Sequence, residues 1–151
     1  GLALESERRR EGVDRDGAFA EYIRLPRSAV YAVPQHVPFL YAAYTEPIAA
    51  SLAIFEADIH QSQSGLVVGQ GRITQLAVEL LNLKGFNQIH VAPEVPTNQT
   101  YDFVIECQCP SQSLAPLLDA LNPGGLLVLK SRRPAEIEVP IQTVVQRRLR
   151  I

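Results

Sequence analysis

The residues whose types and spacing carry chemistry lie together at Val67-Val68-Gly69-Gln70-Gly71-Arg72-Ile73-Thr74. A short apolar run, Gly65 to Val68, precedes the glycines, as expected of a strand buried on both faces. Ile73, Leu76, Ala77, Leu80 and Leu81 follow at helical spacing. A Gly-x-Gly turn between a strand and a helix is the context of the dinucleotide fingerprint. The first glycine allows the tight turn. The second removes a side chain so that a diphosphate can reach the backbone, where unpaired N–H groups and the helix dipole favour an anion. The third fingerprint position is Thr74 rather than glycine or alanine, and a β-branched residue there is expected to push the helix away from the strand. Two readings stay open: a dinucleotide-binding turn, or a βα turn that holds nothing. Arg72 poses the same choice. A cation in the first helical turn opposes the dipole at a cost of a few tenths up to roughly 1 kcal/mol. A bound phosphate converts that cost into a gain; without one, the side chain points into solvent.

Other candidates lie further along. The fingerprint expects an acid about 20 residues on, at the end of the second strand, to hold ribose hydroxyls. Ile89-His90-Val91 is followed by Ala92-Pro93-Glu94, so Glu94 is the acid available, one or two places late; the alternative is an exposed loop glutamate. Cys107 and Cys109 follow the third strand, where a nicotinamide would lie; as a metal pair they lack partners, and as small, partly buried residues they need no explanation. His36, His60 and His90 are scattered, with no clear carboxylate or cysteine at ligand spacing. Lys130, Arg132 and Arg133 follow the last sheet strand and either meet a phosphate or acidic substrate or form a solvated basic loop.

These residues need a scaffold. The chain has 151 residues, 46% hydrophobic and 20% charged, with a formal net charge of −2. That fits one globular domain, or one domain with a fragment of another. It excludes disorder, a spanning helix of about 18 apolar residues, and nucleic-acid binding through bulk charge. Two cysteines are too few for a disulfide framework or a closed zinc site, which predicts a reducing, cytoplasmic setting. There is no methionine and no leader-like run after Gly1, so a piece of a longer protein, or a processed chain, is expected.

The first 27 residues carry twelve charges, including Arg8-Arg9-Arg10. Ala18 to Leu25 and Val30 to Val33 read as short strands ended by Pro26 and Pro34. Phe39 to Tyr44 reads as a turn or two of helix. A second helix is predicted from an N-cap at Thr45, with Glu46 and Pro47 in its first turn and Ile48, Leu52, Phe55 and Ile59 as its buried stripe. After Gly85, a left-handed cap, strands are expected at Gln88 to Val91, Tyr101 to Glu106 and Leu126 to Leu129. Between the last two, a helix at Ser111 to Leu121 is ended by Asn122-Pro123-Gly124-Gly125. A turn of helix near Ile141 to Val145 and a last strand at Arg147 to Ile151 complete the chain. Alternating strands and helices predict a parallel sheet.

Only nine residues, Ala92 to Thr100, separate the second sheet strand from the third. A parallel crossover normally takes a dozen or more residues and a helix. Nine extended residues reach roughly 30 Å, enough to return along a short strand and step past one neighbour. Pro93 and Pro96 favour such a path. The usual strand–helix unit in the middle of the fold is therefore predicted to be deleted, thinning the adenine side of any cofactor site.

At this point a family resemblance emerges. Gly17-Ala18-Phe19-Ala20-Glu21-Tyr22, Pro26 and Val33-Pro34 resemble the G-G-F-A-E-Y … P … P stretch of medium-chain dehydrogenase/reductases, the zinc alcohol dehydrogenase type. Thr45-Glu46-Pro47-Ile48-Ala49 is similar to the E-P-L-A element of the sorbitol and threonine dehydrogenase branch. Val68 to Ile73 follows G-x-G-x-I-G up to Thr74, Tyr101 to Glu106 follows x-D-V-V-I-E, and Leu121 to Gly125 resembles L-R-P-G-G.

The resemblance implies an α/β, Rossmann-like dinucleotide-binding domain over residues 39–151 with its middle shortened, preceded over residues 1–38 by a remnant of the GroES-like catalytic β domain. It implies NAD or NADP as cofactor, bound by Gly69, Gly71, Arg72 and Ile73, with Thr74 packed behind and Glu94 at the ribose. It also implies hydride transfer between a small alcohol or carbonyl and the nicotinamide, and a homodimer in which Arg147 to Ile151 extends the sheet. The family's zinc ligands find no counterpart here. Only Glu46 matches a metal-approaching position, and it reads equally as a first-turn helix acid. The chain by itself is expected not to turn over substrate. The alternative is a degenerate Rossmann module that has lost its cofactor and serves in interaction or oligomerisation.

Overall fold

The computed structural model describes Gly12 and residues 14–108, 113–131 and 136–151. Arg8 to Arg10, Cys109, Arg132 and Arg133 lie outside the described residues. The chain divides into two compact units, Gly1–Ala42 and Ala43–Ile151.

In the first unit the segments expected as strands, Ala18 to Leu25 and Val30 to Val33, form none. Their apolar residues Phe19, Tyr22, Val30 and Tyr31 are exposed. A strand needs a neighbour to take its backbone groups and a layer to take its apolar face, and alternation in the sequence supplies neither. The prolines direct the chain instead: Pro26 O accepts from Ala29 N at 2.9 Å, opening a 3-10 turn at Arg27–Ala29, and Pro38 O accepts from Tyr41 N and Ala42 N in α1 (Phe39–Ala42).

The second unit holds a four-stranded parallel sheet, β1 (Gly65–Val68), β2 (Ile89–Ala92), β3 (Tyr101–Glu106) and β4 (Leu121–Leu129), in the order β2-β1-β3-β4. This is the Rossmann-like α/β arrangement with a shortened middle. Residues 93–100 return from β2 to β3 with no helix. One sheet face is covered by α3 (Arg72–Leu83) and by α2 (Thr45–Leu52) with the 3-10 turn Ala53–Glu56. There Ile54, Val67, Ala77, Leu81, Phe86, Phe103 and Ile105 are buried together. The other face packs Leu66, Val68, Tyr101 and Val104 against Leu114, Leu117 and Leu118 around α4 (Ala115–Asp119), with Val95 and Val144 of α5 (Ile141–Gln146) at the margin.

Four expectations are corrected. Thr45 is the first residue of α2 and Tyr44 its N-cap. The inward line of that helix is Ser51 and Ile54 rather than Leu52, which is 41% exposed, because the chain tightens to a 3-10 turn after Leu52. The Ser51 hydroxyl donates to Pro47 O at 2.8 Å, taking up the one polar group buried there. β4 begins at Leu121, which pairs with Tyr101 before Asn122 to Gly125 bulge out and Leu126 pairs with Phe103. Arg147 to Ile151 makes one parallel bridge, Arg150 to Leu126, rather than a strand. The glycine cap holds: Gly85 has φ 84°, its N–H donates to Asn82 O, and Phe86 N donates to Leu81 O, closing α3 as a Schellman motif.

Candidate functional site

Open parallel sheets bind ligands outside the carboxyl ends of their strands, where the strand order reverses. Here that place lies between β1 and β3, since the chain goes from β1 to β2 on one side and returns to β3 on the other. The glycine turn sits there. Gly69 has φ 135° and Gly71 φ 92° with ψ −167°, conformations that L side chains rarely adopt.

The two glycines serve different ends. A Cβ on Gly69 would come within 2.9 Å of Gln108 N and 3.1 Å of Thr74 Oγ1, so this glycine lets the chain leaving β3 and the first turn of α3 close on the turn. A Cβ on Gly71 would meet nothing within 4 Å. Gly71 is the N-cap of α3 and is exposed, so the helix's first N–H groups, which have no intrahelical partners, open onto an uncluttered approach. The Gly69 N–H is spent within the sheet, donating to Ala92 O at 3.0 Å. An anion in this turn is therefore left to the amides beyond it.

Thr74 does not stand in the way as its shape alone suggests. It is 4% exposed, and its hydroxyl lies in the space opened by the absent Gly69 side chain. That hydroxyl has no hydrogen-bond partner of good geometry and lies by the Cys107 thiol. Burial pushes the thiol up to about 11; the Thr74 hydroxyl and Lys130 favour the thiolate, and the Glu106 charge opposes it. At neutral pH Cys107 is a protonated, inert thiol.

Arg72, in the first turn of α3, is exposed. Its guanidinium lies over the Tyr44 ring, 5.9 Å from the centroid. Among the described residues it forms no ion pair. Ile73 is half-buried beside it, and Glu94 is exposed in the connection after β2. Glu46 is exposed in the first turn of α2, and among the described residues no group of three or more His, Cys, Asp or Glu side chains could hold a metal.

Sequence reasoning overlooked Glu106 as a member of this crevice. It is fully buried at the carboxyl end of β3 and accepts from Ser131 Oγ at 2.7 Å and Ser131 N at 3.3 Å. The available signal was an acid closing an otherwise apolar strand. Lys130 donates from Nζ to Ala50 O of α2 at 2.5 Å, so its ammonium is held at the protein rather than offered outward. The histidines are dispersed: His60 pairs with Asp58 at 3.3 Å, a carboxylate partner not evident from spacing, and His90 Nδ1 meets Tyr101 Oη at 2.5 Å. A depression of about 450 Å³ lined by residues 95–100 with Pro116, Asp119 and Ala120 lies at the amino end of the sheet, away from the glycine turn.

The chain is 37% identical over 75 residues to the L-threonine 3-dehydrogenase of Caldanaerobacter subterraneus, covering 49% of this chain and 21% of that protein. It is 34% identical over 87 residues to the galactitol 1-phosphate 5-dehydrogenase of Escherichia coli, covering 55% and 25%. Over these stretches the chain is similar to zinc-type and sugar- or amino-alcohol dehydrogenases, and it spans only part of their length. Its fold agrees: a structure from Sinorhizobium meliloti, named for a zinc-binding dehydrogenase and bound to NADP, superposes with a TM-score of 0.76 at 22% identity, covering 94% of this chain and 52% of that one. The alignments span a fifth to a quarter of the two curated dehydrogenases and half of the solved one. No family model matches the chain. Among the described residues no helix is long and apolar enough to cross a membrane.

Proposed function

We propose that this chain is the cofactor-binding portion of an NAD(P)-dependent, medium-chain alcohol dehydrogenase-like oxidoreductase. The observation that carries the reading is the bare Gly71: a glycine at the helix N-cap with open space where a side chain would stand, at the sheet's switch point. Gly69 holds the turn shut against Gln108. Gly71, with the N–H groups of Arg72, Ile73 and Thr74, receives the diphosphate, and Thr74 packs behind it. Glu94 is the acid within reach of the ribose side. Half-buried Cys107, with the buried Glu106 before it, stands at the end of β3, on the side of the nicotinamide. The cofactor, when bound, supplies or takes up the hydride exchanged with a small alcohol or carbonyl.

The described residues do not fit a catalytic zinc. Glu46 keeps the matched position and an exposed carboxylate. A cytoplasmic setting and a homodimer built on residues 147–151 belong to the same reading.

A second reading, a module without cofactor that serves in protein interaction, draws on one observation. The return from β2 to β3 carries Glu94 on an exposed, helix-free connection, which leaves the adenosine half with little to grip. Titration with NADH and NADPH, followed by nicotinamide fluorescence, separates the two. Saturable enhancement that disappears in Gly71→Leu supports the cofactor reading. No response from the parent chain up to millimolar cofactor supports the second.

A further inference from the structure

Arg72 is an anomaly in the first turn of α3: a cation where the dipole disfavours one, without a carboxylate partner among the described residues. Its guanidinium instead lies over the ring of Tyr44, the N-cap of α2, 5.9 Å from the centroid. Helical side chains lean toward the N-terminus of their helix, so a residue in this turn is carried toward the same opening as the Gly71 backbone. A contact with a ring face uses none of the guanidinium's N–H donors, so they are left for an oxyanion. Beside the turn, the buried Thr74 hydroxyl has no hydrogen-bond partner of good geometry and lies by the Cys107 thiol.

We propose that Tyr44 is a positioning residue for Arg72, holding its guanidinium at the glycine turn so that it contributes a charged contact to the bound diphosphate. This rests on the reading of the turn as a diphosphate site and adds a residue from a different helix to it. With the connection after β2 stripped of its helix, affinity shifts from the adenosine side to the diphosphate, and the Tyr44–Arg72 pair makes up part of the difference. Tyr44 need not touch the ligand: its ring restricts a long side chain that would otherwise lose rotamer freedom on binding.

The test is a double-mutant cycle in the full chain, with Tyr44→Leu, Arg72→Gln and the double variant, and Tyr44→Phe as the conservative control. Thermal melts establish that each variant folds. Tyr44→Leu is expected to weaken NADH binding about three- to fivefold, as loss of an exposed cation–π contact does. Tyr44→Phe keeps parental affinity. In the Arg72→Gln background, Tyr44→Leu has no further effect, and the salt dependence of binding is shallower in Arg72→Gln than in the parent. Equal weakening by Tyr44→Leu in both backgrounds, or none in either, overturns the proposal while leaving the cofactor reading in place. If the parent binds neither NADH nor NADPH, that reading fails, and the cycle is read with inorganic pyrophosphate by thermal shift. Coupling there supports the Tyr44–Arg72 pair as an oxyanion contact, and absence of any pyrophosphate shift overturns it.

Discussion

The hydroxyl of Thr74 lies 3.1 Å from where the Cβ of a side chain on Gly69 would stand, so each residue is sized by the other. Gly69→Ala is therefore expected to destabilise the fold more than Gly71→Ala does. The first introduces a side chain 2.9 Å from the Gln108 backbone nitrogen and strains φ as well. The second meets open space and costs only the conformational penalty, about 1–3 kcal/mol. Urea midpoints of the two variants check the order, and a larger loss for Gly71→Ala contradicts it.

Gly65 makes the same kind of demand inside the sheet. A Cβ there would lie 2.2 Å from Cζ of Phe103, a fully buried ring that packs edge-on against Phe86. Gly65→Ala is expected to cost about 1–3 kcal/mol, the usual penalty of overpacking. The pair Gly65→Ala with Phe103→Leu should recover part of it. Chemical denaturation of the single and double variants measures the recovery.

Asp102 confers a pH dependence. Its carboxylate accepts from Asn122 Nδ2 at 2.8 Å and from Ser64 N and Oγ at 2.8 and 2.9 Å. These bonds, the Asn122 one first, hold its pKa below the usual aspartate value. A depressed folded pKa means that the unfolded chain binds the proton first as pH falls. The contribution is complete above the ordinary aspartate pKa, about 3.9, and is lost as pH drops through the lower folded value. Asp102→Asn should lower stability at neutral pH and flatten the acid limb of the urea midpoint.

Cys107 is expected to resist alkylation. In a Cys109→Ser background, iodoacetamide should modify the folded chain far more slowly at pH 8 than the urea-unfolded chain, with the rate climbing toward pH 11. Thr74→Val, which removes a group that favours the thiolate, should slow it further.

Much of the second unit was legible in the sequence because its elements answer to local rules. β1 and β3 run over the residues that their apolar runs mark, and Gly85 caps α3 because no other residue takes that φ so readily. The helix-free return to β3 follows from chain length alone. The failures share one cause: they depend on partners far away in sequence. Phe19, Tyr22 and Tyr31 alternate like strand residues without a ladder to join. Leu121 reads as a helix end, yet Tyr101 claims it for β4. Of the candidate site, the glycines were plain in the motif, but the companionship of Arg72 with Tyr44, and of Thr74 with Cys107, comes only from how α2 and β3 sit beside the turn.

The short return from β2 also bears on how the chain folds. Gly65 and Phe103, aligned in the central strand pair, stand only 38 residues apart in sequence. Each doubling of a closed loop adds about 0.6 kcal/mol of entropic cost. Excising a strand and its helix between them brings the two halves of the sheet within easier reach of one another. Lower contact order of this kind speeds collapse onto the native topology, so the shortened crossover that removes a covering helix also hastens assembly of the sheet.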